Sequence, residues 1–126
     1  LDPQDARAHC RLGVAKSSLG QRAEAIEHFR RAIELDPRDD ESHLFLGMIW
    51  LGTESFDAAR AEFDAALRLN PNNYLAHGNL GLLFMGVGQL PAAETHLRAA
   101  LQLNPNDLTA QENLRRVLAA VGGARR

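Results

Sequence analysis

Leu35-Asp36-Pro37 is one of four copies of a short pattern that returns at a fixed interval along the chain. The other copies are Leu1-Asp2-Pro3, Leu69-Asn70-Pro71 and Leu103-Asn104-Pro105, so that consecutive prolines lie 34 residues apart. Further residue types keep the same register: a Leu-Gly pair begins at 12, 46 and 80, and alanine stands at 25, 59 and 93 and again at 32, 66 and 100. A constant period of this length indicates a protein built by repeating one supersecondary unit.

The composition indicates helices. Leucine and alanine supply 40 of the 126 residues, whereas valine, isoleucine and threonine together supply ten. Leucine and alanine favour helices, and the β-branched residues favour strands. The sequence therefore predicts an all-α protein.

Each period divides into a helix A and a helix B. Two residues after each proline stands a side chain that can cap a helix by accepting a hydrogen bond from the backbone of the first turn, namely Asp5, Asp39, Asn73 or Asp107. Helix A is predicted over 6–19, 40–53 and 74–87, and helix B over 22–35, 56–69 and 90–103. Glycine permits a tight reversal, so the turns between them are expected at Gly20, at the Gly52-Thr53 pair and at Gly88. Pro91 suits the first turn of the third helix B.

Three glycines lie inside the predicted A helices, at Gly13, Gly47 and Gly81. Glycine in a helix interior costs about 1 kcal/mol relative to alanine, so something must require the missing side chain. The simplest cause is close approach of helix A to helix B. Ala25, Ala59 and Ala93 are expected on the same contact, while Phe29 and Phe63 are expected to fill the space between repeats.

With these features the chain resembles the tetratricopeptide repeat family over residues 1 to about 121. The resemblance rests on the 34-residue period, the Leu-Gly pair, the alanine and phenylalanine positions and the closing proline. The sequence departs from the family at the start of helix A, where His9, His43 and His77 replace an aromatic residue, and at Lys16. The resemblance implies a right-handed superhelical solenoid of antiparallel helix pairs, with three repeats and a C-terminal capping helix.

The expected organisation is a single domain over 1–126. Residues 1–5 match the tail of a preceding repeat, which suggests a longer array upstream, and the three repeats are 6–39, 40–73 and 74–107. Residues 108–121 form the capping helix, in which Leu114, Val117 and Leu118 cover the last helix B and Arg115 replaces the usual glycine. Residues 122–126 are expected to fray.

Several functions are disfavoured by charge and by the absence of motifs. The net charge of −2 lacks the basic excess of a nucleic-acid binder, and no apolar stretch is long enough for a membrane span. Cys10 is the single cysteine, and no metal-binding or catalytic motif is present. His9, His43 and His77 recur at one position but are spread too far to surround one ion, so we expect them to pack. No catalytic residue, cofactor or metal is expected.

The distribution of charge suggests a binding surface. Helix B of the second repeat is rich in charge, whereas residues 42–53 and 69–93 contain no charged residue. In the family that this chain resembles, the A helices line a concave groove. The groove positions carried over from the family are Arg7, Cys10, Val14, Ser17, Glu41, Leu44, Met48, Leu51, Leu75, Gly78, Leu82 and Met85, with Asn79 and Asn113 bordering the groove. A competing interpretation is that the uncharged A helices are only more deeply buried.

The predicted partner is therefore a protein or peptide. Some members of the family bind the C-terminal carboxylate of heat-shock chaperones through a clamp of lysine, asparagine and arginine side chains. In this chain the clamp positions are occupied by Cys10, Val14, Phe45, Leu75 and Asn79, so the resemblance implies that the clamp is missing. We expect a non-catalytic scaffold that binds an apolar or amphipathic segment. The alternatives are a substrate-selecting arm of a larger enzyme, such as a glycosyltransferase or kinase, and self-association through the exposed first repeat.

Overall fold

The computed structural model describes residues 4–124, and these residues form α-helices without any strand. In chain order the helices are α1 Ala6–Ser18, α2 Arg22–Leu35, α3 Asp40–Gly52, α4 Phe56–Leu69, α5 Tyr74–Gly86, α6 Leu90–Leu103 and α7 Leu108–Ala124. The all-α prediction is confirmed. The three B helices begin and end where the sequence predicts, and each of the three A helices ends one residue earlier. Within the described residues, none of these helices has both the length and the apolarity to cross a bilayer.

The chain forms two compact units, Leu1–Pro71 and Asn72–Arg126. In the first unit α1 packs against α2 and α3 packs against α4, while α2 and α1 both contact α3. In the second unit α5 packs against α6, and α7 packs against both. Each repeat is therefore a helix pair joined by a short turn, as the sequence predicts.

The predicted caps start the A helices and α7. The side-chain oxygens of Asp5, Asp39, Asn73 and Asp107 each accept a hydrogen bond from the backbone N–H three residues later, at 3.0–3.2 Å. Each bond satisfies one of the amide donors that a helix start leaves without an intrahelical partner. These four caps confirm a prediction that depends on local sequence alone.

The interior glycines lie where helix A touches helix B. A Cβ atom added at Gly13 would lie 2.6 Å from the ring of Phe29, one at Gly47 would lie 2.6 Å from the ring of Phe63, and one at Gly81 would lie 2.6 Å from Leu97. These three B-helix side chains are fully buried. Close approach is confirmed as the reason for the glycines.

The two phenylalanines play a different part from the one predicted. Phe63 packs on Gly47 inside its own repeat. Phe29 packs on Gly13 inside its own repeat and also stacks on Phe45 of the next repeat, with ring centroids 5.6 Å apart. These rings therefore join the two helices of one repeat, and Phe29 additionally joins two repeats.

The turn in the second repeat differs from its prediction. In the first and third repeats the reversal falls on Gly20 and Gly88, both with a φ of 77°. In the second repeat the aligned residue is Glu54, with a φ of 57°. Gly52 is instead the last residue of α3. The backbone conformation is thus retained at the aligned position even though a side chain is disfavoured there.

The last helix is longer than predicted. α7 continues through residues 122 and 123 to Ala124, so the expectation that these residues fray is wrong, while 125 and 126 lie outside the described residues. Val117 is buried at 1% exposure and Leu114 is half-buried. Leu118, which was expected to cover α6, is 40% exposed. Arg115 is exposed at the position where the three repeats carry glycine.

Candidate functional site

An apolar cleft of about 300 Å³ opens in the first compact unit between α1 and α3. Its walls carry two exposed apolar side chains, Val14 at 37% and Met48 at 43%. The fully buried ring of Phe29 closes it below. The remaining lining residues are Ser17, Ser18, Phe45 and Ile49. Three predicted groove positions, Val14, Ser17 and Met48, therefore meet in one recess.

A second, polar cleft of about 410 Å³ lies in the same unit, between the start of α1 and the turn that leads into α3. The predicted groove positions Arg7, Cys10 and Glu41 line it. The other lining residues are Ala6, Arg11, Asp36, Arg38, Asp39 and Asp40. Four carboxylates and three guanidinium groups thus surround this cleft, which makes it charged but of mixed sign.

The thiol of Cys10 lies at the boundary between the polar cleft and the core. Its residue is 8% exposed and belongs to the core cluster that includes Phe29 and Leu46. Burial raises the pKa of the Cys10 thiol above its ordinary value, and a hydrogen bond with Ser42 only partly opposes the shift. The neutral thiol is therefore the favoured form, and a thiolate nucleophile is disfavoured.

Leu44 and Leu51 complete the predicted positions on α3. The prediction that Leu44 lines the groove is wrong, because this residue is 2% exposed and offers no surface to a ligand. Leu51 is half-buried. On α3, the competing interpretation of burial therefore holds for Leu44, whereas Met48, one turn later, is open to solvent.

The second compact unit carries the remaining predicted positions. Leu75 is 44% exposed, and Leu82 and Met85 are half-buried. Asn79 donates a hydrogen bond to the carbonyl oxygen of Leu75, at 2.8 Å, so its amide is engaged within its own helix. Gly78 is half-buried, and a Cβ there would meet no atom within 4 Å. Asn113 is 6% exposed, so it does not border an open surface.

Comparison with known proteins identifies the repeat. The sequence profile of the tetratricopeptide repeat matches residues 10–74 and 51–108, which together cover most of the chain. The chain belongs to the tetratricopeptide repeat family. Repeats of this family are generally non-catalytic modules of protein–protein interaction. No curated protein sequence is significantly similar to the chain.

Solved tetratricopeptide repeat structures share the fold. The first repeat domain of Spaghetti (RPAP3), bound to the HSP90 peptide SRMEEVD, is 22% identical with a TM-score of 0.88, and the match covers 97% of both chains. The first domain of human RPAP3 is 21% identical with a TM-score of 0.89, covering 96% of this chain and 95% of that one. The repeat domain of Arabidopsis OM64 is 19% identical with a TM-score of 0.88, covering 94% and 98%.

The recurring histidines pair across each tetratricopeptide repeat. His9 and His28 approach with their Nδ1 atoms 3.1 Å apart, and His77 and His96 do the same at 3.2 Å. In the middle repeat the Nδ1 atom of His43 lies 2.7 Å from a carboxylate oxygen of Glu62. The histidines pack, as expected, but their partners on helix B were not predicted from the sequence. The signal was available, because each partner lies 19 residues further along the chain.

The buried polar side chains in the described part of the chain are hydrogen-bonded. Across residues 4–124, no buried side-chain nitrogen or oxygen lacks a hydrogen-bond partner. Over the same stretch, no group of three or more histidine, cysteine, aspartate or glutamate side chains is arranged to hold a metal ion.

Proposed function

We propose that this tetratricopeptide repeat chain is a non-catalytic scaffold that binds an apolar or amphipathic segment of a partner protein through the groove positions of its A helices. The apolar cleft of the first compact unit is the principal contact. The observation that carries the proposal is the exposure of Val14 and Met48 on either side of a recess that Phe29 closes. Exposed apolar side chains grouped around a recess are typical of interaction sites.

The affinity would come from burial of apolar surface. A leucine, methionine or phenylalanine side chain of the partner that enters the cleft would bury its own surface and that of Val14 and Met48, at roughly 25 cal/mol per Å². Methionine has an unbranched and polarisable side chain, so Met48 can adjust to partners of different shape. The polar cleft next to it, with Arg7 and Glu41, would take the polar residues of an amphipathic segment.

The residues at the clamp positions argue against an acidic tail as the partner. The peptide SRMEEVD, seen on the RPAP3 domain, carries three acidic residues. Here four carboxylates and three guanidinium groups line the polar cleft, so it offers an acidic tail no clear excess of positive charge. Cys10 and Val14 stand at two of the places where the chaperone-binding clamp needs polar or basic groups. We therefore propose that recognition depends on burial rather than on a carboxylate clamp, and that it varies little with salt.

The test compares two variants that each add one negative charge. Met48→Glu places a carboxylate at the mouth of the apolar cleft, and Ala61→Glu places one on an exposed position of α4. Both change an exposed residue, so each should alter the stability by less than about 0.5 kcal/mol. The probes are peptides selected from a displayed random library on the unaltered chain, together with SRMEEVD.

We expect the selected peptides to carry apolar residues and to bind Ala61→Glu as they bind the unaltered chain. Met48→Glu should lower the affinity for the selected peptides at least tenfold, and SRMEEVD should not bind to the unaltered chain. Selected peptides that bind Met48→Glu normally would contradict the cleft as the contact. Tight, salt-sensitive binding of SRMEEVD would contradict recognition by burial.

A further inference from the structure

The two histidine pairs hold donor atoms at a spacing that suits metal coordination. In the first repeat the Nδ1 atoms of His9 and His28 are 3.1 Å apart, and in the third repeat those of His77 and His96 are 3.2 Å apart. We propose that each pair is a chelating site for a divalent late transition-metal ion such as Ni²⁺ or Zn²⁺. The ion would join helix A to helix B within one repeat.

The distance between the two donor atoms of each pair is close to that of a metal chelate. Imidazole nitrogens bind Zn²⁺ at about 2.0–2.1 Å. At that length, donor atoms 3.1 and 3.2 Å apart subtend angles of about 98° and about 103° at the ion. Both values lie between the 90° of a cis pair in square-planar or octahedral coordination and the tetrahedral angle of about 109°. The ring planes of each pair are inclined by 30–31°, so the rings need to turn for both lone pairs to point at one ion.

Binding of the ion does not require either neutral imidazole ring to lose a proton overall. In the hydrogen-bonded pair one Nδ1 carries a proton and donates it to the other Nδ1. On binding, that proton moves to the Nε2 atom of the same ring by exchange with water, which leaves both Nδ1 lone pairs for the ion. Neutral imidazole is the form that binds metal. The four rings are half-buried and therefore still reach solvent.

The two sites differ in rigidity. The ring of His96 stacks on Phe84, with centroids 5.5 Å apart and planes inclined by 11°. This stacking limits the rotation that the His96 ring needs for chelation, so we expect the first-repeat site to be the tighter one. Because each site has two protein ligands, water must fill the other coordination positions, and both sites are weaker than a closed four-ligand site.

The middle repeat provides the matched control. His43 occupies the same repeat position, but its Nδ1 atom is bonded to a carboxylate oxygen of Glu62 at 2.7 Å. Hydrogen bonds to a carboxylate are stronger than those between neutral groups. To bind both His43 and Glu62, Ni²⁺ would have to break the hydrogen bond between them. His43→Gln therefore removes a histidine from the same position without touching either proposed site.

The experiment titrates the tag-free chain with Ni²⁺ in a non-chelating buffer, by calorimetry and by thermal unfolding. We expect two ions per chain and a Ni²⁺-dependent rise in Tm, as linkage requires for an ion that binds the folded state. His28→Gln and His96→Gln should each remove one of the two ions, and the double variant should lose the rise in Tm. His43→Gln should keep it.

The result does not depend on how far the variants themselves are destabilised, because the readout is the Tm difference with and without Ni²⁺ for each variant. Nitrogen-15 spectra of the unaltered chain with Zn²⁺ give a second measurement, in which the Nδ1 atoms of His9, His28, His77 and His96 should change most. No rise in Tm with the unaltered chain, a rise that survives in the double variant, or coordination through Nε2 would each overturn the proposal.

Discussion

Gly47 lies against the ring of Phe63 so closely that a Cβ atom at position 47 would stand 2.6 Å from a ring carbon. Phe63 is fully buried and cannot swing into solvent. The contact therefore fixes how near α3 and α4 approach each other. The same relationship recurs in the first and third repeats, between Gly13 and Phe29 and between Gly81 and Leu97.

Replacing Gly47 by alanine should destabilise the protein. Alanine favours a helix by about 1 kcal/mol over glycine, but overpacking a buried contact costs typically 1–3 kcal/mol. We expect a net loss, measured as a lower Tm or a lower urea midpoint, and a larger loss for Gly47→Leu. Gly78→Ala is the control, since a Cβ there meets no atom within 4 Å and the change should be stabilising. Equal stabilisation by both alanine substitutions would refute the close-contact explanation.

Replacing Glu54 by glycine should stabilise the second repeat. Glu54 has a φ of 57°, a conformation that costs an L-residue roughly 1–2 kcal/mol and glycine almost nothing. After allowance for the greater freedom of glycine in the unfolded chain, we expect a gain of up to about 1 kcal/mol in the free energy of unfolding. Gly20→Ala should have the opposite effect because of its φ of 77°. A loss of stability in Glu54→Gly would contradict this assignment of strain.

Cys10 should react slowly with thiol reagents. Because burial raises the pKa of its thiol, less thiolate is present at pH 8 than in the unfolded chain. The measurement is the alkylation rate between pH 7 and pH 10, in buffer and in urea. In buffer the pH of half-maximal rate should be higher. Restricted access alone would lower the rate at every pH without moving that midpoint, so an unmoved midpoint would count against the pKa shift.

Deleting residues 108–126 should cause self-association. α7 covers α5 and α6, with Val117 at 1% and Ala110 at 2% exposure. Removing it would expose apolar surface on α6 at roughly 25 cal/mol per Å². Sedimentation velocity should show concentration-dependent oligomers. Deletion of 122–126 alone leaves both buried residues in place and should behave as the full chain does, and a monomeric, equally stable truncation at 108 would contradict the role of α7.

The elements that the sequence predicts well are those determined locally. A cap such as Asp39 acts on the amide of Ser42, three residues away, and a proline such as Pro37 keeps the preceding helix from continuing. The glycine contacts were also predictable, because the period aligns Gly47 with Gly13 and Gly81. The left-handed turn residue of the second repeat was missed because Glu54 has a residue type that disfavours this conformation and Gly52 lies nearby, although the same period aligns Glu54 with Gly20 and Gly88.

The candidate site was less predictable, because it depends on which side of a helix is covered. From Leu44 to Leu51, α3 is apolar around its whole circumference, so periodicity does not separate buried Leu44 from exposed Met48. The partner of His43 was missed for another reason. Comparing the A helices with one another reveals a recurring histidine, whereas the partner Glu62 lies on helix B and differs in residue type from His28 and His96.

The short separation along the chain between these contacting residues bears on how quickly the protein folds. Gly13 and Phe29 are 16 residues apart, and His9 and His28 are 19 apart, so each helix pair closes a small loop. The entropy lost in closing a loop grows with its length. Chains dominated by such near-neighbour contacts fold in microseconds to milliseconds, far faster than proteins of similar size built from distant strand pairings. Each helix pair can therefore begin to form once its own residues are free of the ribosome, without waiting for a distant part of the chain.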